Sequence, residues 1–139
     1  MAKRPDWLDD AVFYEIYPQS FKDTDGDGIG NINGITEKLP YIKELGCNAI
    51  RCWGGNVYES EEFYNFCDRA GILVWQDFSM ACAVYPQDEE MYQALREEIL
   101  SVVRRLRNHP CLLLWAGDNE CDMVMERTAG RRNPNINRL

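Results

Sequence analysis

Four apolar runs of strand length divide this chain, at residues 11–17, 47–53, 72–78 and 111–115, and helical patterns fill the intervals between them. Ile35, Leu39, Ile42 and Leu45 share one helix face, and Gly46 is placed to close that helix. Pro40 fits only if the helix starts near Thr36, so that the ring falls in its first turn. Ser60 can cap a second helix that runs to Ala70 and is closed by Gly71. Met91, Leu95, Ile99, Val102 and Leu106 mark a third, with Asp88, Glu89 and Glu90 at its start and arginines at its end, as the helix dipole favours. The order is therefore βαβαβαβ, which demands a parallel sheet with right-handed crossovers. Two architectures satisfy it: a small doubly wound sheet, or half of a (βα)8 barrel, which takes about 250 residues when complete.

The ends of the strands discriminate between polar rims. Before the strands the chain is spare, with Gly46, Gly71 and the Asn108–His109–Pro110 turn. After them it is rich in groups that bind or react: Tyr17–Pro18–Gln19, Trp53–Gly54–Gly55, Gln76–Asp77 and Asp118–Asn119–Glu120. All of these belong to the carboxyl-terminal rim, where barrels and open α/β sheets build their sites. His109 falls on the opposite rim and reads as structural, since catalysis would need it among the other groups. No glycine-rich phosphate loop follows the first strand, which argues against nucleotide binding.

The run "CLLLWAGDNECD" poses the sharpest chemical question, because a buried strand passes directly into Asp118, Asn119 and Glu120. A glutamate at the carboxyl end of a strand, beside an aromatic and an amide, can be kept protonated near neutral pH and donate a proton to a leaving oxygen.

The 139 residues carry a net charge of −8, and the basic clusters are confined to Arg104, Arg105, Arg107 and to Arg131, Arg132. A nucleic-acid surface needs a basic patch, so none is expected. No stretch reaches the roughly 18 apolar residues of a membrane span, and "MAKRPDWLDD" has no apolar core of a signal peptide, so a cytoplasmic, membrane-free chain is expected. The six cysteines, Cys47, Cys52, Cys67, Cys82, Cys111 and Cys121, form no C-x-x-C pair and read as buried free thiols.

Two family resemblances emerge from these same residues. The stretch "YEIYPQSFKDTDGDGIGNINGITEKLPYIKELGCNAI" resembles the alpha-amylase family, in particular its alpha-glucosidase and oligo-glucosidase members. From "NAIRCWGGNVYESEEFYNFCDRAGILVWQDFSMACAVYP" through "LLLWAGDNECD" to "GRRNPNINRL", the chain resembles beta-mannosidases of glycoside hydrolase family 2. The seam lies near "LGCNAIR", which makes the chain look like a chimera: residues 1–46 an amylase-like βα unit, 47–122 a mannosidase-like βαβαβ segment, and 123–139 a tail. Together the resemblances imply a (βα)4 half-barrel, α/β in class, with parallel strands and outer helices.

The resemblance to beta-mannosidases also implies roles. Asn119–Glu120 matches an asparagine–glutamate pair at the end of the fourth barrel strand, the glutamate a general acid/base and the asparagine a ligand of the sugar 2-hydroxyl. Arg51, Trp53, Trp75 and Asp77 match positions lining the same pocket. Their structural alternative is barrel filling and rim ion pairs. A retaining glycosidase needs two carboxyl groups about 5–5.5 Å apart, and the family's nucleophile lies on a later strand. Weak activity or none is therefore expected of this chain by itself, with a mannoside or glucoside as its ligand; a carbohydrate-binding or structural half-barrel without turnover is the alternative, as is a truncated product.

The remaining motif is "DTDGDGIGN". Asp23, Asp25, Asp27 and the Ile29 carbonyl have the alternate spacing that wraps oxygens around a hard cation, and Gly28 permits the turn. It looks like the calcium loop of the oligo-glucosidase relatives, with Asn31 where those carry an aspartate. An EF-hand would need glutamate at the twelfth position, which is Gly34. Calcium is the expected metal, with no organic cofactor. Finally, a half-barrel exposes the edges of its outer strands, so a homodimer or higher homo-oligomer is expected.

Overall fold

The computed structural model describes residues 6–124. After a short 3-10 turn at Asp6–Asp9, the chain forms β1 (Phe13–Glu15), a second 3-10 turn at Pro18–Ser20, α1 (Ile32–Glu44), β2 (Ala49–Cys52), α2 (Glu61–Ala70), β3 (Leu73–Asp77), α3 (Glu89–Leu106) and β4 (Leu112–Ala116). All four strands form where the apolar runs lie; β1, β2 and β3 are shorter than their runs, and β4 has the same length displaced by one residue. The "GRRNPNINRL" segment lies outside the described residues.

The four strands make one parallel sheet in the order β1-β2-β3-β4. A doubly wound sheet reverses its strand order at a switch point. Here the order follows the chain without reversal, which is the progression of a barrel wall.

Paired neighbours point to the same side of a sheet, so the register sorts the side chains. Tyr14, Ile50, Cys52 and Val74 pack toward the helices, in one cluster with Ile35, Leu39 and Ile42 of α1, Phe63, Tyr64 and Cys67 of α2, and Val102 and Leu106 of α3. Leu39, Ile42, Tyr64, Cys67, Val74 and Leu106 are completely shielded from solvent. Burying each large apolar side chain contributes roughly 1.5–3 kcal/mol, so this layer holds the helices to the sheet. The other face carries a row of Glu15, Arg51, Trp75 and Leu114, aligned by pairing across all four strands. That row is the inner wall of a barrel. Its ends are open: Phe13 is 43% and Leu114 36% exposed.

The helix boundaries correct one expectation. α1 begins at Ile32, not near Thr36, because the Asn31 side chain accepts the Gly34 N–H at 3.0 Å and starts the helix early. Pro40 consequently sits inside the helix, on its exposed side, where it removes the N–H that Thr36 would otherwise receive. α2 ends as expected, on Gly71 in the left-handed conformation (φ 69°). α3 is capped by Asp88, whose carboxylate accepts the Met91 N–H at 2.8 Å.

The amino-terminal rim is tied by His109, as a structural reading requires. Its Nδ1 lies 2.7 Å from Asp68 Oδ2 and its Nε2 3.3 Å from Glu61 Oε2. One cysteine departs from the expectation of buried thiols. All six are free and five are buried, but Cys82 is exposed, since the loop after β3 carries it across the carboxyl rim.

Candidate active site

β2 and β3 each deliver a charged side chain to the inner wall, and their register places them together. Arg51 Nη2 donates to Asp77 Oδ2 at 2.7 Å, and Arg51 Nε to Oδ1 at 3.3 Å. The Asp77 side chain has no solvent exposure, so its charge depends on this two-pronged contact. Gly54 N–H adds a third donor at 3.2 Å. Only glycine fits at that position, because a Cβ there would sit 2.3 Å from the Phe78 carbonyl oxygen and 2.8 Å from that of Met80.

β4 ends beside this pair. Asn119 forms a parallel bridge with Ala81, its N–H donating to the Met80 carbonyl at 2.9 Å and its carbonyl accepting Cys82 N–H at 2.8 Å. These bonds aim the Asn119 side chain inward, where Oδ1 accepts from Arg51 Nη2 at 2.7 Å. Its Nδ2 donates to Cys82 Sγ at 3.4 Å. Asn119 is therefore buried and oriented at both ends of its amide.

Glu120 follows with φ +59°, a conformation rare outside glycine and asparagine. The twist throws its side chain out to solvent, with the Cys82 thiol donating to Oε2 at 3.7 Å. The apolar enclosure expected around this glutamate is not supplied by the described residues. Trp115, the aromatic preceding it, faces the helix side and stacks on Phe78 with ring centroids 5.1 Å apart.

The tryptophans separate in role. The Trp75 indole lies under the Arg51 guanidinium, 5.0 Å from its carbon, and fixes the plane of that group. Its Nε1 is buried and has no hydrogen-bond partner among the described residues. Trp53 pairs with the exposed Tyr17, centroids 5.6 Å apart, at the rim between β1 and β2. Arg51, Asp77, Asn119 and Trp75 thus form one connected group; Glu120 adjoins it, and Trp53 flanks it.

Sequence reasoning passed over two residues here. Cys82 contacts both Asn119 and Glu120, and its own φ of +47° is the second positive value at this corner. Glu59, in the loop before α2, is 3% exposed, with the Tyr64 hydroxyl donating to it at 3.5 Å. Burial raises its carboxyl above the ordinary value, outweighing the hydrogen bonds and the Arg105 charge that act against it.

The loop before α1 gathers its acids as the spacing required. Carboxylate oxygens of Asp23, Asp25 and Asp27 lie within 4.8 Å of one another. Asp23 accepts three backbone N–H groups, from Asp25 at 2.9 Å, Gly26 at 2.7 Å and Gly28 at 2.9 Å. The Gly26, Gly28 and Asp25 bonds lower its pKa to about 2. Hard carboxylate oxygens at this separation fit a calcium ion. Asn31 fits less well, because its Oδ1 already accepts Thr24 Oγ1 at 2.8 Å and Gly34 N–H at 3.0 Å.

Comparison with known proteins finds both families that the sequence resembles. Residues 15–72 match the family described as "Alpha amylase, catalytic domain". That match runs beyond the expected seam, through β2 and α2. Beta-mannosidases of Capra hircus and Bos taurus are each 49% identical to this chain over 87 residues, 63% of its length. The crystal structure of a beta-D-mannosidase from Dictyoglomus thermophilum superposes on 80% of the chain with a TM-score of 0.68 and 38% identity. The chain spans about a tenth of the length of the curated relatives it matches, and 13% of that solved chain. It resembles two glycosidase families, in keeping with a chimera, and its sheet is a (βα)4 portion of a barrel.

Proposed function

We propose that this chain is a glycosidase-derived half-barrel whose carboxyl rim binds a mannoside or related glycoside, with Glu120 as the general acid/base. The observation that carries the reading is the placement of Asn119–Glu120 at the end of β4, with Asn119 held by Arg51, which is itself held by Asp77. Similarity to beta-mannosidases supports the substrate class. In such a site the Asn119 amide orients a sugar hydroxyl, the Tyr17–Trp53 pair offers an aromatic surface, and Glu120 hands a proton to the glycosidic oxygen.

Hydrolysis with retention requires a second carboxylate about 5–5.5 Å from the first. Asp77 is engaged by Arg51, and the Asp118 carboxylate accepts Cys121 N–H at 3.2 Å. Weak turnover is the consequence, with sugar binding the stronger property. A non-catalytic half-barrel is favoured by one observation: both ends of the Asn119 amide are occupied from within the protein.

The test is twofold. Titration with an aryl beta-mannoside should perturb tryptophan fluorescence saturably, and any hydrolysis should disappear in Glu120→Gln while binding persists. Absence of binding, or hydrolysis unaffected by the substitution, would sink the reading. Calcium belongs to the same proposal, held by Asp23, Asp25, Asp27 and the Ile29 carbonyl, and its role is to stiffen the loop that leads into α1.

A further inference from the structure

The amino-terminal rim carries a group of ligating side chains remote from the sugar site. Asp68 lies in the last turn of α2, and His109 and Cys111 lie just before β4. One ligand atom from each lies within 4.8 Å of the others. The group contains one carboxylate, one imidazole and one thiol, the mixed donor set that zinc takes and calcium refuses. The His109 side chain is 12% and that of Asp68 21% exposed, so an ion can enter, while Cys111 is 4% exposed at the back.

A second feature resembles the surroundings of established zinc sites. The imidazole is addressed from both nitrogens: Nδ1 faces Asp68 at 2.7 Å, and Nε2 faces Glu61 Oε2 at 3.3 Å. A histidine that ligates through one nitrogen usually donates its other N–H to a carboxylate, which fixes the ring and raises its basicity. Glu61 occupies that place, and Arg105 holds Glu61 at 3.5 Å.

We propose that Asp68, His109 and Cys111 form a zinc site, with His109 Nδ1, the Cys111 thiolate and an Asp68 oxygen as ligands, Glu61 supporting the ring, and water at the fourth position. In a tetrahedral site, bond lengths of about 2.0–2.3 Å put donor atoms roughly 3.3–3.6 Å apart. The His109–Asp68 contact therefore opens by somewhat over half an ångström, and the metal takes the place of the Nδ1 proton, which in the neutral ring moves to Nε2, facing Glu61. Binding converts the thiol to a thiolate and releases its proton to solvent. The site does not rest on the carbohydrate reading.

Cobalt(II) added to the metal-free, reduced chain tests this. The expected result is one ion per chain with a thiolate-to-cobalt charge-transfer band, displaced by zinc. Cys111→Ser should abolish the band, Cys82→Ser should keep it, and Glu61→Gln should weaken affinity about tenfold or more. The aspartate loop at Asp23 offers only oxygens and cannot produce the band, so Asp23→Asn should leave it unchanged. Each variant is checked for native circular dichroism before titration. If Cys111→Ser does not fold, His109→Gln and Asp68→Asn supply the same readout. A wild-type chain without the band, or a band that persists in folded Cys111→Ser, would overturn the assignment.

Discussion

Arg51 and Asn119 are 68 positions apart in the chain, yet Arg51 Nη2 and Asn119 Oδ1 are 2.7 Å apart across β3. The same nitrogen bonds Asp77. One guanidinium therefore joins the ends of three strands, and removing it leaves a fully buried carboxylate without its cation. Arg51→Met should destabilise the fold by about 3 kcal/mol, at the low end for a broken buried pair because Arg51 is partly exposed. Asn119→Ala removes one charge-assisted bond and should cost about 1.5–3 kcal/mol. Urea unfolding measures both. A loss below about 1 kcal/mol for Arg51→Met would show that Asp77 is stabilised by other means.

Asp23 sets an acid-side dependence. Its pKa is lowered from 3.8 to about 2 by backbone N–H groups available only in the folded loop. The stabilisation is fully present above 3.8, where the unfolded carboxyl is ionised, and is lost as pH falls through about 2. The melting temperature of Asp23→Asn should change less across that window than that of the wild type. Equal slopes would show that the loop does not fold around this carboxylate. With calcium added near neutral pH, the wild type should melt higher and the variant should not.

Glu59 has the opposite sign. Its folded pKa lies above 4.5, so the native state keeps a proton that the unfolded state has released. Its contribution to stability accordingly falls as pH rises from 4.5 through the folded value. Glu59→Gln keeps the shape without the charge. Its stability relative to wild type should improve as pH rises toward neutrality, as read by urea midpoints at several pH values. A constant difference would mean that the carboxyl titrates alike in both states.

Cys82 touches Glu120 and Asn119 and is exposed, so a thiol reagent can reach it. Alkylation should place bulk on the proposed sugar site and abolish the fluorescence response to aryl mannoside. Cys82→Ser should respond to sugar normally and resist the reagent. If the alkylated wild type still binds, the site lies elsewhere on the rim.

These residues also show where sequence and structure part. Strand and helix order was legible because apolar periodicity and the acids at the start of α3 are local signals. The rim could be assigned because strand direction alone puts Asp77 and Asn119 at the same end. The Arg51–Asp77–Asn119 network was legible only as a set of positions carried over by resemblance; its bonds depend on register, which no local pattern encodes. The early start of α1 escapes the sequence because Pro40 points to a first turn near Thr36, whereas the Asn31 amide oxygen accepts the Gly34 N–H and starts the helix earlier. The exposed turn at Glu120 arises from a positive φ, and nothing in its residue type announces that. Cys82 looked like the other thiols because its exposure is decided by a loop crossing.

The last expectation concerns assembly. β1 and β4 are the outer strands of the sheet, and among the described residues neither has a partner on its outer side. Parallel sheets are almost always covered on both faces, yet the inner wall here leaves Phe13 and Leu114 open. A second copy resolves both problems: with a two-fold axis along the barrel, β1 of each chain pairs with β4 of the other, and eight strands close. The exposed inner row then becomes a filled interior. Sedimentation velocity at micromolar concentration should show a dimer, and Leu114→Glu should shift it toward monomer by placing a charge in that interior. The variant's helical circular dichroism should persist, since Leu114 points away from the helix layer. A wild-type monomer, or a dimer indifferent to Leu114→Glu, would mean that the edges are protected without closure of the barrel.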